Sequence, residues 1–213
     1  MQQAKGQYIC ELREAIICYR IMENLIGKKA PHFVAKAITA EGKLVDQFSL
    51  DQYEGKQTVV FFFYPKSFTG VCNSEVLAFQ DQLADFEKEN IAVVGCCVDS
   101  DRTLWAWHQV ARENGGIKGV TYPIISDSSK IISNAFGCLA GEYTFDEAGK
   151  LVAAGPMISY RGLYVIDKKG YVQHMLINNL PLGRSIDEAL RTATAVNHIS
   201  ETGGACNANW RLV

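Results

Sequence analysis

The sequence lacks a membrane-length apolar stretch, an excess of charge of either sign and any paired-cysteine signature. Its longest apolar run is about Thr58–Tyr64, far short of the roughly 18 residues that a membrane span requires, so no membrane role is expected. Lys and Arg total 21 against 23 Asp and Glu, a formal net charge of −2. With no basic excess, nothing points to nucleic acid or to an anionic lipid surface. The 7 cysteines are an odd number and none forms C-x-x-C, which argues against a disulfide-stapled scaffold and against a dithiol exchanger. The opening segment MQQAKGQYICELREAIICYR reads as neither secretory signal nor transit peptide. Glu11, Arg13 and Glu14 interrupt any apolar core, and no small-residue cleavage site is visible. A reducing, cytoplasmic setting is expected, where a cysteine serves packing or chemistry. His32, His108, His174 and His198 show no ligand spacing, so no metal site is expected.

What is present suits a single domain with a substantial core. Of 213 residues, 48% are apolar and 21% charged, which excludes disorder. Thr58–Tyr64 is a β-branched and aromatic run that predicts a strand buried on both faces. A helix is expected from Val71 or Cys72, with Val76, Phe79, Leu83 and Phe86 on its apolar face. Ile91–Val98 predicts a second buried strand. Arg102–Asn114 predicts a helix stopped by Gly115-Gly116, and Ser128–Phe136 a shorter one. Gly162–Asp167 and Tyr171–Asn178 read as strands of a hairpin turned by Lys168-Lys169-Gly170. Ser185-Ile-Asp-Glu188 is a capping box opening a last helix to about His198. Alternating strands and helices followed by a hairpin and a closing helix predict an α/β fold with a mixed central sheet. Residues 1–24 precede the first clear core element and could form a helix. Ala140–Ser159, with Gly141, Gly149, Gly155 and Pro156, is a loop or an added hairpin. The tail from Ser200 carries Gly203-Gly204 and is expected to be mobile.

The segment FFFYPKSFTGVCNSEV carries the chemistry. A buried strand ends at Tyr64-Pro65, a short loop follows, and Cys72 falls at a helix start. Free N–H groups there favour negative charge, and thiols in such places have pKa values of about 3.5–7.5 instead of about 8.5. A shift from about 8.5 to about 6 raises the thiolate fraction at pH 7 roughly 30-fold, worth about 2 kcal/mol. A fast thiol enzyme needs more, supplied by donors aimed at the bond that breaks. Thr69 lies one helical turn before Cys72, where its hydroxyl can reach the sulfur. Pro65 fixes the loop and shields the site from water.

Pro65-Lys-Ser-Phe-Thr69-Gly-Val-Cys72 resembles the active-site motif P-x-x-x-T-x-x-C of peroxiredoxins. The resemblance continues through Val98-Asp99-Ser100, Trp107, Tyr122-Pro123, Ser126-Asp127, Tyr160-Arg161-Gly162-Leu163, Asn179-Leu180-Pro181 and Gly183-Arg184-Ser185. It ends at Gly204-Ala205-Cys206-Asn207-Ala208-Asn209-Trp210, which is similar to the resolving-cysteine motif of the typical two-cysteine class. It implies a thioredoxin-like fold and a peroxidase without cofactor, acting on hydrogen peroxide or organic hydroperoxides. Cys72 would be the peroxidatic cysteine, with Thr69 and Arg161 holding the peroxide oxygens. Glu75 and Arg184 would orient the arginine network, and Tyr64 and Trp107 match aromatic residues near the pocket. Cys206 would resolve the Cys72 sulfenic acid on a partner subunit as an intersubunit disulfide, which thioredoxin or a flavoprotein disulfide reductase would reduce. A homodimer, or a decamer of dimers, is implied. The corresponding organisation is an extension over residues 1–24, a peroxiredoxin domain over 25–199 with an insertion at about 140–159, and a tail over 200–213.

The sequence departs from the family at Asn73 and Asn207, which follow the two key cysteines where proline is usual. Both remove a stiffener and are expected to ease local unfolding. Cys96 and Cys97 are neighbours in a strand, so they point to opposite faces and read as packing. Cys10, Cys18 and Cys138 read as fortuitous thiols. Tyr64 and Trp107 suit a plain core as well as a site. A holdase-type chaperone ring and a peroxide sensor are the competing functions.

Overall fold

The computed structural model describes residues 24–211; the expected N-terminal helix, with Cys10 and Cys18, lies outside them. The described residues form a seven-stranded mixed sheet in the order β2-β1-β5-β4-β3-β8-β9 and a separate two-stranded sheet, β6-β7. The strands are β1 (Ala35–Ile38), β2 (Leu44–Phe48), β3 (Thr58–Phe63), β4 (Ile91–Cys97), β5 (Ile124–Ser126), β6 (Leu139–Phe145), β7 (Leu151–Ser159), β8 (Arg161–Ile166) and β9 (Val172–Asn178). The helices are α1 (Gly70–Asp81), α2 (Leu83–Lys88), α3 (Asp101–Gln109), α4 (Ile131–Ala135) and α5 (Ile186–Thr202). Strands β3, β4 and β5 run parallel, and β8 pairs antiparallel to β3.

Strand β3 is central because every one of its side chains is buried, and its alternation divides them between two cores. Val60, Phe62 and Tyr64 join α1, α3 and α5 through Val76, Phe79, Leu104, Trp107 and Val196. Val59, Phe61 and Phe63 meet Phe136, Cys138 and Tyr164 on the other face. Phe62 stacks on Phe79 with centroids 4.2 Å apart, and Phe61 meets Phe136 edge-on at 5.0 Å. Opposite Phe62 stands Gly95, where a Cβ would lie 3.1 Å from the Phe62 ring; the absent side chain gives the ring its space. Cys96 and Cys97 fall in different cores, as alternation requires.

The elements expected around β3, β4, β8 and β9 form. Ser185 caps α5, its Oγ accepting from Glu188 N at 3.2 Å. That helix extends past His198 to Thr202 and ends at Gly203 with φ +68°. Helix α3 is shorter than expected. It stops at Gln109, and Arg112–Asn114 forms a separate 3-10 turn. The reason is a tight reversal, in which a Cβ on Gly116 would lie 2.0 Å from the Val110 carbonyl oxygen. Of the two readings of Ala140–Ser159, the hairpin is the one observed. Its β6 and β7 are joined by a turn in which Asp146 Oδ1 accepts from Ala148 N and Lys150 N at 3.0 and 2.8 Å. The tail lies back along α5: Arg191 Nη1 donates to Trp210 O at 3.3 Å, and the Trp210 ring meets His198 at 4.9 Å. Among the described residues no helix is long and apolar enough to cross a membrane.

Asn197 ties α5 to the sheet. Its Oδ1 accepts from Thr58 Oγ1 at 2.6 Å, and its Nδ2 donates to Glu89 O at 2.7 Å. Asn197→Ala should lower stability by about 2 kcal/mol, because it leaves a buried hydroxyl without a partner. Urea unfolding should show a lower midpoint with an unchanged slope.

Candidate active site

The site forms where β3 ends. Pro65 is buried after Tyr64, and the loop from Lys66 leads to Thr69, the N-cap of α1. Asp99, which follows β4, holds this loop by accepting from Ser67 N through Oδ2 at 2.6 Å. Phe68 takes φ +57°, a conformation rare outside glycine, and its ring lies 5.8 Å from Trp107. Trp107 also meets Tyr64 at 5.9 Å, so both aromatic residues named from the sequence back the loop from within the core. Burial pushes the Tyr64 phenol well above its ordinary value, keeping it neutral.

Cys72 sits in the first turn of α1 and is 1% exposed. Thr69 donates its hydroxyl proton to Lys66 O at 3.0 Å and makes no side-chain cap to the helix. The amide groups of the first turn therefore face the sulfur's end of α1 without a side-chain acceptor from Thr69.

Behind Cys72 lies a buried ionic cluster. Arg161, at the start of β8, donates from Nη1 to Glu75 Oε2 at 2.5 Å and approaches Cys72 Sγ at 3.5 Å. Its Nε donates to Leu180 O at 2.7 Å. Arg184 donates to Glu75 Oε1 from its backbone N at 3.0 Å and from Nε at 2.8 Å. Its Nη1 donates to Phe63 O at 2.8 Å and Gly162 O at 2.6 Å. Glu75 and Arg161 are each 3% exposed. Two guanidiniums and one carboxylate leave one net positive charge beside the sulfur, in a setting where water screens little.

The remaining expected site residue, Cys206, is half-buried on the tail, its Sγ 3.8 Å from Ala195 O on α5. Among the described residues, Cys72, Cys96, Cys97, Cys138 and Cys206 are all free thiols. Burial pushes Cys96, Cys97 and Cys138 well above the ordinary thiol value, with nearby Asp127 or Asp99 adding to the effect. These three stay neutral and inert, in keeping with packing.

One residue outside the reacting set, next to Cys72 in sequence, makes a contact that sequence reasoning missed. The exchange of proline for Asn73 removes a stiffener from the start of α1, yet Asn73 Nδ2 donates to Gly115 O at 3.1 Å and to Gly116 O at 2.9 Å. Comparing Asn with Pro by chain stiffness alone misses a contact made across 42 residues of sequence. The Asp99–Ser67 contact that holds the loop has one trace in the sequence, the Val98-Asp99-Ser100 motif.

Removing the shared carboxylate should be costly. Glu75→Ala leaves two buried guanidiniums facing each other and should lower stability by about 3–5 kcal/mol in chemical denaturation. Alkylation of the folded protein at pH 7, read by peptide mapping, should leave Cys96, Cys97 and Cys138 unmodified.

Comparison with known proteins agrees with this geometry. Residues 26–175 match the model of the AhpC/TSA family. The chain is 40% identical over 187 residues to the chloroplastic 2-Cys peroxiredoxin BAS1 of Hordeum vulgare, covering 88% of this chain and 82% of that protein. It is 38% identical over 190 residues to the thioredoxin peroxidase of Echinococcus granulosus, covering 89% and 90%. The crystal structure of reduced Plasmodium vivax 2-Cys peroxiredoxin superposes with a TM-score of 0.77 at 36% identity, covering 89% of this chain and 90% of that one. With its thioredoxin-like sheet and its thiol set against a buried arginine, the chain belongs to the AhpC/TSA family, among the two-cysteine peroxiredoxins.

Proposed function

We propose that Cys72 is the nucleophile with which this peroxidase reduces hydrogen peroxide and organic hydroperoxides. The observation that carries the reading is Arg161 Nη1, held by Glu75 at 2.5 Å and set 3.5 Å from the Cys72 sulfur. A thiolate there balances the net charge of the cluster. It attacks one peroxide oxygen, the O–O bond breaks, and the leaving oxygen departs as water or alcohol after taking a proton. Charge develops on that oxygen, so a fixed guanidinium beside the reacting sulfur stabilises the transition state more than the ground state. Thr69 lies on the same loop with its proton already given to Lys66 O, so its oxygen serves as an acceptor toward a protonated peroxide. Pro65 closes the loop against water. Glu75 and Arg184 position Arg161, and Tyr64 and Trp107 support the loop.

Cys72 then carries a sulfenic acid. The Cys206 thiol of a partner subunit attacks that sulfur, releasing water and forming an intersubunit disulfide. A dithiol donor reduces the disulfide to two thiols. Thioredoxin fits this role, as the name of the Echinococcus granulosus relative suggests, and a flavoprotein disulfide reductase is the alternative donor. The working unit is a homodimer, or a decamer built of five such dimers, in a reducing cytoplasm, and its role is antioxidant defence. Residues 25–199 form the catalytic domain, with 1–24 as an extension and 200–213 bringing Cys206. A holdase ring would not require two arginines and a glutamate buried behind a thiol.

Cys72→Ser should abolish peroxide consumption in a coupled assay with thioredoxin, since a serine hydroxyl is no comparable nucleophile at neutral pH. Turnover near wild type would place the chemistry elsewhere. Arg161→Ala should slow the reaction with peroxide roughly 10²–10³-fold. Glu75 keeps Arg184 as a partner in that variant, so the loss of rate should exceed the loss of stability. Oxidised wild type should run as a disulfide-linked dimer on a non-reducing gel, and Cys206→Ser as a monomer.

A further inference from the structure

We infer that Asn73 is a latch on the Cys72 helix, and that its grip sets how the sulfenic acid divides between two fates. The inference rests on the sulfenic-acid chemistry proposed above. Asn73 Nδ2 donates to Gly115 O at 3.1 Å and to Gly116 O at 2.9 Å. Its backbone N donates to Thr69 O at 2.9 Å, the bond that closes the first turn around Cys72. One residue thus fastens that turn both to its own loop and to a second, distant one.

The distant loop is a firm anchor. Trp107, fully buried, donates from Nε1 to the same Gly115 O at 2.9 Å. Gly116 N donates to Ala111 O at 3.0 Å, and Lys118 N to Val110 O at 3.0 Å. Ile117 is fully buried. Gly116 and Ile117 are buried, and the exposed Gly115 is fastened to the core through Trp107, so α1 is tied to a segment that is itself held in place.

The tie matters because Cys72 is closed in. At 1% exposure, its sulfur cannot meet a second sulfur at the roughly 2.05 Å of a disulfide until the first turn opens. Opening strips both carbonyls of the Asn73 amide. While the turn stays closed, Arg161 remains beside the sulfur and the site is still arranged for peroxide. In the open state Cys206 attacks: Cys72–SOH and Cys206–SH give the disulfide and water. In the closed state the sulfenate sulfur attacks a second peroxide and its O–O bond breaks: Cys72–SOH and ROOH give Cys72–SO2H and ROH. The latch slows the first fate and favours the second. Asn73 touches no reacting atom and acts through the helix, so it is a positioning residue.

The test compares wild type with Asn73→Ala and with Asn73→Leu, which keeps the approximate volume and helix propensity but has no donor. Rapid-quench mass spectrometry after hydrogen peroxide addition follows sulfenic acid, disulfide and sulfinic acid at Cys72. Sulfenic acid should form at the wild-type rate in both variants. Loss of two hydrogen bonds should speed disulfide formation roughly tenfold, and the sulfinic fraction at high peroxide should fall in proportion. A merely structural role would change the first step and the stability together and leave this division unmoved. Wild-type disulfide rates in both variants, or a higher sulfinic fraction, would overturn the latch while leaving the peroxidase reading intact. Absence of any oxidation at Cys72 in the wild type would overturn both.

Discussion

The carboxylate of Glu75 holds together three parts of the chain that sequence keeps far apart. It rises from α1, accepts Arg161 from the start of β8 and accepts Arg184 from the segment before α5. Burying three charges is costly, and mutual attraction offsets the cost only when the remaining donors are satisfied. Here most are. Arg184 reaches Phe63 O and Gly162 O, Arg161 reaches Leu180 O, and the Arg184 guanidinium lies 5.2 Å over the Phe62 ring. The same bonds that compensate the burial fix the end of β3 against the start of β8. The position of Arg161 beside Cys72 is therefore a consequence of how the sheet edge is sealed.

Strand direction explains why these residues meet at one end of the sheet. Strands β3 and β4 run parallel, so their carboxyl ends deliver the Cys72 loop and Asp99 to the same edge. Strand β8 runs the other way, with Phe62 opposite Leu163, so its first residue, Arg161, arrives where β3 finishes. The carboxyl edge of parallel strands is the usual place for a site in an α/β sheet. The added antiparallel strand supplies the cation. Ser159, just before β8, donates to Tyr64 O at 2.8 Å and holds that junction from the side of the β6-β7 hairpin.

Much of this arrangement was legible in the sequence. The run TVVFFFY reads as a two-sided strand because nothing polar interrupts it after Thr58. The adjacent Cys96 and Cys97 separate by simple alternation, and Ser185 to Glu188 marks a helix start by local chemistry. The hairpin β1-β2 was not legible: its side chains are half-exposed in LVDQF, where no clean alternation survives. The sequence of the insertion does not separate loop from hairpin, because Gly141, Gly155 and Pro156 break its period. Two of its three glycines approach so closely that a Cβ on Gly155 would lie 2.8 Å from Gly141 Cα. The Glu75–Arg184 contact spans 109 positions, and only the family motifs hinted at it. Asn73 shows the reverse error, where a local rule about stiffness was overridden by a tertiary hydrogen bond.

Cys72 and Cys206 are restrained unequally, and that inequality orders the events of the proposed cycle. Cys206 is half-buried, its sulfur contact to Ala195 O is a weak 3.8 Å, and its tail is held by a 3.3 Å bond to Trp210 O and a ring contact to His198. Arg191, the donor of that bond, also engages Glu188 at 2.7 Å, so losing the tail leaves it still paired. Cys72 is enclosed by a helical turn, two Asn73 bonds and the Phe68 ring against Trp107. Releasing the tail thus exposes little that was buried, whereas opening α1 breaks the Asn73 bonds to Gly115 O and Gly116 O and draws the sulfur away from Arg161. In the proposed cycle the slow motion belongs to the Cys72 side. A closed α1 is what the reaction with peroxide needs, and an open one is what the disulfide needs. Asn73 sits at the point where those two requirements conflict.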